Sequence, residues 1–305
     1  MTTGSKANAP AGRAQAPDAP VVVTPGLLPW LDPAAWRALG GAWAVQLVVE
    51  GSRYLVVALL VWAVLHVALR KRLAHRLIQG WPSSKDIRRE MAYSFSTLLV
   101  FAAIGAGVIA LLISSHMQVY RQPDKHGWLW LVASLPLMIL WHDTYFYWTH
   151  RLLHTRWMLR HVHGVHHRSR NPSPWAAYAF HPLEAVVNGL VTPLALAAAP
   201  LHVGVLMLFA LHQILRNAHG HAAVETMPHG FARHWLWGRF TTTTHHHLHH
   251  ETAQGNYGLW FTWWDRRCGT ERADYLARFD RSTQPRQAPA AEKGTAKAQL
   301  QASTP

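Results

Sequence analysis

The chain has 305 residues, half of them apolar and only 14% charged, with long runs almost free of charge. That distribution excludes a soluble globular domain and predicts an all-α, polytopic integral membrane protein, because a backbone in hydrocarbon must satisfy its own polar groups. Lys and Arg number 29 against 15 Asp and Glu, but they flank apolar segments, which points to anionic lipid at a cytoplasmic face and not to nucleic acid.

Residues 1–26, rich in Ala, Pro and Gly, predict a disordered tail and not a signal peptide. Residues 27–43 suggest a short interfacial helix, and the first span runs from Val45 to Leu69. Glu50 and Arg53, near its start, are spaced to pair at i, i+3 at the headgroup level. Seven Lys and Arg between residues 70 and 92 place that segment in the cytoplasm. A second span follows at Phe95–Ile113. The loop at 115–127 carries only Arg121 and Lys125 and belongs on the other side. A third span, Trp128–Trp148, returns to the cytoplasm.

Residues 183–215 are too long for one crossing and are interrupted by Pro193 and Pro200. They predict a helical hairpin, 183–199 and 201–215, that brings the chain back to the same face. The expected architecture is three spans plus this hairpin, about four transmembrane helices, with residues 150–182 and 216–280 forming a cytoplasmic, histidine-rich cap. Residues 281–305 read as a second disordered tail. Trp62, Trp81, Trp128 and Trp130 lie at segment ends, as an interfacial belt requires. The single Cys268 excludes an internal disulfide and suits a reducing compartment.

The chemistry concentrates in histidines. His150 and His154, then His163, His166 and His167, fall within eighteen residues; His246, His249 and His250 repeat the H-x-x-H-H spacing far downstream. On a helix, residues three and four apart share a face, so each cluster can aim its imidazoles at one point. Asp143 and Tyr147 share the stripe of His150 and His154. A structural zinc site wants four ligands, usually with thiolates; no thiolate pair exists here and the imidazoles are too many. Eight or more histidines fit two ions, and ligand type leaves iron, zinc and copper equally open. His219 is expected as a ninth ligand. His142, His181 and His212 are further candidates, whereas His221 would point away if its helix continued. Asp143, Tyr147 and Glu184, with Asp265, are the candidates for orienting ligating imidazoles.

HRLLH at 150–154, HGVHH at 163–167 and HHLHH at 246–250 resemble, in order, the three histidine boxes of the fatty acid hydroxylase/sterol desaturase superfamily. NPSPWAAYAFHPLEA at 171–185 and NYGLWFTWWDRRCGT at 256–270 are similar to the sterol C5-desaturase branch, and DIRREMAYSFSTLL at 86–99 resembles the superfamily. The likeness covers residues 70–272 and departs from the branch at His219-Gly220-His221, where those enzymes read His-Asp-Gly.

The resemblance implies that residues 27–280 form one membrane-embedded catalytic domain. It would hold two Fe ions, use O2 as co-substrate and attack an unactivated C–H bond of a membrane lipid, by desaturation or hydroxylation. No cytochrome b5-like segment accompanies the boxes, so it also implies a separate electron donor, cytochrome b5-like, a ferredoxin or a reductase. The expected location is a bacterial inner membrane or a eukaryotic endoplasmic reticulum. The competing reading is a non-enzymatic membrane protein that binds or transports metal through the same histidines. A transporter places its ligands near the bilayer midplane, and these clusters fall at span ends.

Overall fold

The computed structural model describes Met1 and residues 33–284; the tail read at 1–26 apart from Met1, residues 27–32, and the tail read at 281–305 from residue 285 on lie outside it, whereas residues 281–283 end a helix, with Ser282 and Thr283 buried. The chain divides into a unit ending at Ala38, of which Met1 and the opening turns of α1 are described, and a unit from Leu39 onward. Helix α1 (Pro33–Trp62) continues through a π-turn at Ala63–Ala68 and is followed by the single turn α2 (Arg70–Leu73). Residues 33–43 are therefore part of one long helix, where a separate interfacial helix was expected: after Pro33 nothing in the stretch breaks helical hydrogen bonding.

Helix α3 (Ser84–Ile113) starts well before the apolar run, because Ser83 caps it by accepting from the Asp86 N–H at 3.1 Å. Asp86 also places its charge at the positive end of the helix dipole. Among the described residues two helices, Pro33–Ala68 and Ser84–Ile113, are long and apolar enough to cross a membrane.

A loop with the two-residue strand β1 (Val119–Tyr120) leads to α4 (Trp128–Leu153), the short α5 (Arg156–His161) and a 3-10 turn at His163–Arg168. A second 3-10 turn, Pro174–Tyr178, precedes α6 (Pro182–Gly189) and α7 (Val191–Ala198). The first arm of the expected hairpin is thus two helices, broken at Leu190 just ahead of Pro193, whose ring cannot follow a preceding helical turn. Strand β2 (Leu201–His202) and α8 (Val203–Gly220) form the return. The two strands pair in parallel, Val119 with Leu201 and Tyr120 with His202, so the hairpin tip lies beside the loop between α3 and α4. Trp130 Nε1 to the Pro200 carbonyl (2.9 Å), Trp141 Nε1 to Val191 (3.1 Å) and Tyr145 Oη to Val187 (2.7 Å) fasten the hairpin along α4.

The carboxyl-terminal part adds α9 (Thr243–Thr252), α10 (Trp263–Arg267) and α11 (Tyr275–Thr283). One core joins α1, α3 and α8 around Tyr54, Leu98, Trp175, Tyr178 and Ile214. Tyr54 and Ser94 both donate to the Trp175 carbonyl, at 2.9 and 3.0 Å, and so pin the 174–178 turn to two long helices. A second core sets Met138 of α4 against Phe209 of α8 and Trp260. A third packs Leu248 of α9 on Tyr275 and Phe279 of α11.

Candidate metal centre

The last turn of α4, the 163–168 turn, the end of α8 and helix α9 converge. They bring together His150, His154, His163, His167 and His249 as one group of ligand atoms, and His166, His221, His246 and His250 as another, each within 4.8 Å. All eight box histidines take part. The boxes do not each face one point, however. The i, i+4 pairs stay together (150/154, 163/167 and 246/250), while His166 and His249 cross to the opposite group. Consecutive helical residues diverge by about 100°, so neighbours such as His249 and His250 cannot address the same ion.

His219 is not in either group: its Nε2 lies 2.6 Å from Thr226 Oγ1. His221 is the ninth histidine of the two groups. A continuing helix would turn His221 away, but α8 ends at Gly220 and His221 is its capping residue, with φ −93° and ψ 10°. Gly220 was the available signal, since glycine commonly marks a helix end. His142 stacks on Trp260 with ring centroids 4.1 Å apart, and His212 meets the same indole edge-on at 4.6 Å. His181 caps α6 by accepting from the Leu183 N–H. None of these three belongs to a ligand group.

In four of the rings the outer nitrogen fixes the tautomer. Nδ1 of His150, His221, His249 and His250 lies 2.8, 2.7, 2.7 and 2.9 Å from the carbonyls of Tyr257, Asn217, Gly255 and Ser169. A carbonyl only accepts, so each Nδ1 carries the proton and each Nε2 is left with a bare lone pair. His163 Nδ1 faces Glu184 Oε1 at 2.8 Å, at ion-pair distance and both almost wholly buried; Nε2 is its inward atom too.

Those inward Nε2 atoms crowd one another. His150 to His163 and His163 to His167 are both 3.0 Å, and His154 to His167 is 3.2 Å. In the second group His221 stands 3.1 Å from His246, 3.2 Å from His250 and 3.4 Å from His166. Between His221 and His250 neither nitrogen has a proton to share, so the contact is lone pair against lone pair. A cation between them removes the repulsion. Two nitrogens about 2.0–2.1 Å from one ion, at octahedral to tetrahedral angles, sit roughly 2.9–3.4 Å apart, which is the spacing seen.

Burial and the neighbouring imidazoles hold these rings neutral. Burial lowers His150 and His221 to about 4 and His167 to about 3. His163, His166, His246, His249 and His250 fall well below the usual range, first from desolvation and then from mutual repulsion. Neutral imidazole is the form that binds metal.

The acidic candidates divide. Glu184 faces one of the grouped histidines directly, His163. Asp143 does not: it accepts from the Trp260 and Phe261 N–H groups, at 3.0 and 3.3 Å, and from Trp263 Nε1 at 2.7 Å. Tyr147 bonds Thr270 Oγ1 at 3.0 Å, and Thr270 donates to Asp265. Asp265 accepts the Tyr257 and Gly258 N–H groups at 2.8 and 2.7 Å. It thereby fixes the peptide whose carbonyl holds His150. The predicted stripe on α4 is real, and below His150 it grips the 257–270 segment.

Residues 135–270 match the family model described as fatty acid hydroxylase. The Delta(7)-sterol 5(6)-desaturase of Gibberella zeae is 31% identical over 189 residues, 62% of this chain and 57% of that protein. Lathosterol oxidase of Homo sapiens is 28% identical over 186 residues, 59% of this chain and 60% of that one. A very-long-chain aldehyde decarbonylase of Oryza sativa subsp. japonica is 31% identical over 150 residues, 48% and 55% of the two chains. The chain spans between 54% and 63% of the length of the first of these curated relatives. No solved structure matches it.

Proposed function

The chain belongs to the fatty acid hydroxylase/sterol desaturase superfamily, and from that premise we propose that it oxidises an unactivated C–H bond of a membrane lipid with O2 at a pair of iron ions. The observation that carries the reading is the opposition of Nε2 atoms from the three boxes and His221, at 3.0–3.4 Å, in two adjoining groups. Iron, when bound, supplies the O2 chemistry.

The protein's own contribution is positional. His150, His154, His163, His167 and His249 hold one ion, and His166, His221, His246 and His250 hold the other. The carbonyls of Tyr257, Asn217, Gly255 and Ser169 keep five-membered rings turned so that Nε2 faces inward. Burial keeps bulk water from the ligands.

Each turnover would reduce one O2 with four electrons, two from the lipid and two from a separate donor, a cytochrome b5-like protein, ferredoxin or reductase, and would take up two protons from water. Hydroxylation would leave the lipid with one added oxygen and release one water; desaturation would remove two hydrogens and release two waters. In this reading α4 and the hairpin of α6, α7 and α8 complete the membrane part begun by α1 and α3. The metal face is then cytoplasmic, beside the basic residues at 70–89 and 151–170, in a bacterial inner membrane or an endoplasmic reticulum.

The test is to purify the protein, quantify iron, and supply reductant, O2 and a lipid extract while following lipid masses. Two irons per chain and a lipid that loses two hydrogens or gains one oxygen are expected. Product formation that persists after the metal is stripped would overturn the proposal.

A further inference from the structure

The segment after α8 carries an uncovered aromatic patch. Trp235 is 77% exposed and Trp237 49%, and Leu236, Trp263 and Trp148 are 39–48% exposed. Single exposed rings are ordinary, but a contiguous apolar patch marks a surface that meets something. These side chains are held side by side. Phe240 pairs antiparallel with Phe261, ring centroids 5.2 Å apart, and Thr262 Oγ1 donates to the Gly238 carbonyl at 3.1 Å. The 235–240 loop therefore lies directly against the start of α10. Trp264 in turn meets Trp148 of α4 edge-on, at 5.4 Å.

Helix α4 sets the level of this band. Trp263 Nε1 donates to Asp143 Oδ2 at 2.7 Å, and Trp264 Nε1 to Thr144 Oγ1 at 3.2 Å. At 1.5 Å per residue, Asp143 stands roughly 10 Å back along α4 from His150 and roughly 7 Å inside the expected span end at Trp148. Phe261 packs against the core of Met138, Phe209 and Trp260, which belongs to the span and the hairpin. At the other end of the loop, Arg233 pairs with Asp280 of α11 at 2.7 Å. The chain thus descends from the cap helices, turns at Trp235–Trp237 and is fastened below the metal-bearing turn.

We propose that the 235–240 loop and the start of α10 form an interfacial anchor, with Trp235, Leu236, Trp237 and Trp263 seated in the headgroup layer on the metal side of the bilayer. Interfacial elements bury their apolar face roughly 5–10 Å into the headgroup and acyl boundary, which is the depth at which Asp143 holds Trp263. Continuity with the outward face of α4, through Trp148, means that whatever surrounds that helix also meets the loop. Charge agrees. Arg239 and Arg267 are exposed beside the patch, Arg267 one turn from Trp263 on α10. Their apolar stems can lie along the rings while the guanidinium heads reach lipid phosphates. Tryptophan is itself enriched at headgroup level, where one end of the ring is apolar and the other wet. The inference rests on the membrane placement of α4 in the function proposed above and is independent of the metals.

The experiment uses the full chain carrying Cys268→Ser, with one thiol restored by Trp235→Cys, by Leu137→Cys on the exposed face of α4, or by Gln254→Cys on the exposed cap. Each variant is labelled with bimane and placed in phosphatidylcholine nanodiscs at one copy per disc. Lipid brominated near the headgroup end of its chains should quench the label at 235, and lipid brominated near the chain ends should quench it less. The label at 137 should show the reverse order, and the label at 254 should yield to aqueous iodide alone. Quenching by bromine at 137 but not at 235 would overturn the anchor and leave the membrane placement of α4 standing. No bromine quenching at 137 would overturn both. A label at 235 that iodide reaches as freely as at 254 would make the loop water-facing, and one shielded only in discs holding two copies would make a second chain the occupant; either result overturns the proposal.

Discussion

His221 Nε2 lies 3.1 Å from His246 Nε2, although they stand twenty-five positions apart and only His246 belongs to a histidine box. The contact ties the end of α8 to α9 and completes the four-histidine group. His219, two residues earlier, faces Thr226 instead.

Replacing these two histidines should therefore have different effects. His221→Ala is expected to lose about one ion per chain, since three ligands remain of the four in its group. His219→Ala is expected to keep both. Metal-to-protein ratios from elemental analysis decide it; equal loss in the two variants would contradict the geometry.

Glu184 is the carboxylate behind His163, at 2.8 Å. Groups that orient a ligating imidazole are typically worth about 10–100-fold in metal affinity. Glu184→Gln keeps an oxygen acceptor and should weaken the five-histidine site toward the lower end of that range; Glu184→Ala should approach the upper. Competition against a chelator of known affinity measures both, and unchanged affinity in the alanine variant would remove Glu184 from the site.

Gly258 has no room for a side chain. A Cβ there would stand 2.5 Å from the Phe261 carbonyl oxygen and 2.8 Å from Asp265 Oδ2. Gly258→Ala should cost about 1–3 kcal/mol, as overpacking does. Asp265→Ala leaves two backbone N–H groups without acceptors and should cost a similar amount, about 1–3 kcal/mol. Both should lower the melting temperature and loosen metal at His150, because the same loop carries the Tyr257 carbonyl. Asp143→Ala should lower the melting temperature while metal stoichiometry holds, since its partners are Trp260, Phe261 and Trp263.

Acid should release the metals and destabilise the metal-free fold. Burial lowers His150 and His221 from the ordinary value near 6.5 to about 4. Above pH of about 6.5 these rings are neutral folded or unfolded, and they contribute nothing to the pH slope. As pH falls from there toward 4, the unfolded chain takes up protons that the folded chain refuses, so stability drops. Melting curves of the metal-free protein across that window test the sign. A flat profile, or a rise on acidification, would show that the rings are not held neutral.

Helical character and the three boxes were legible in the sequence because they are local properties. Apolar run length dictates a membrane helix, and i, i+4 spacing dictates that His150 and His154, or His246 and His250, act together. Asp143 and Tyr147 likewise belong to the stripe of His150 by helical phase alone. What only the tertiary structure decided was direction across the chain. Whether His219 or His221 serves depends on where α8 stops. Whether His166 joins its own box or the third depends on how the 163–168 turn meets α9. The pairing of Glu50 and Arg53 could be read from i, i+3 spacing, but not the reach of Arg53 to Tyr178 in a remote segment. Phase along one helix is set by the backbone repeat; convergence of helices is set by packing among residues that lie far apart in sequence.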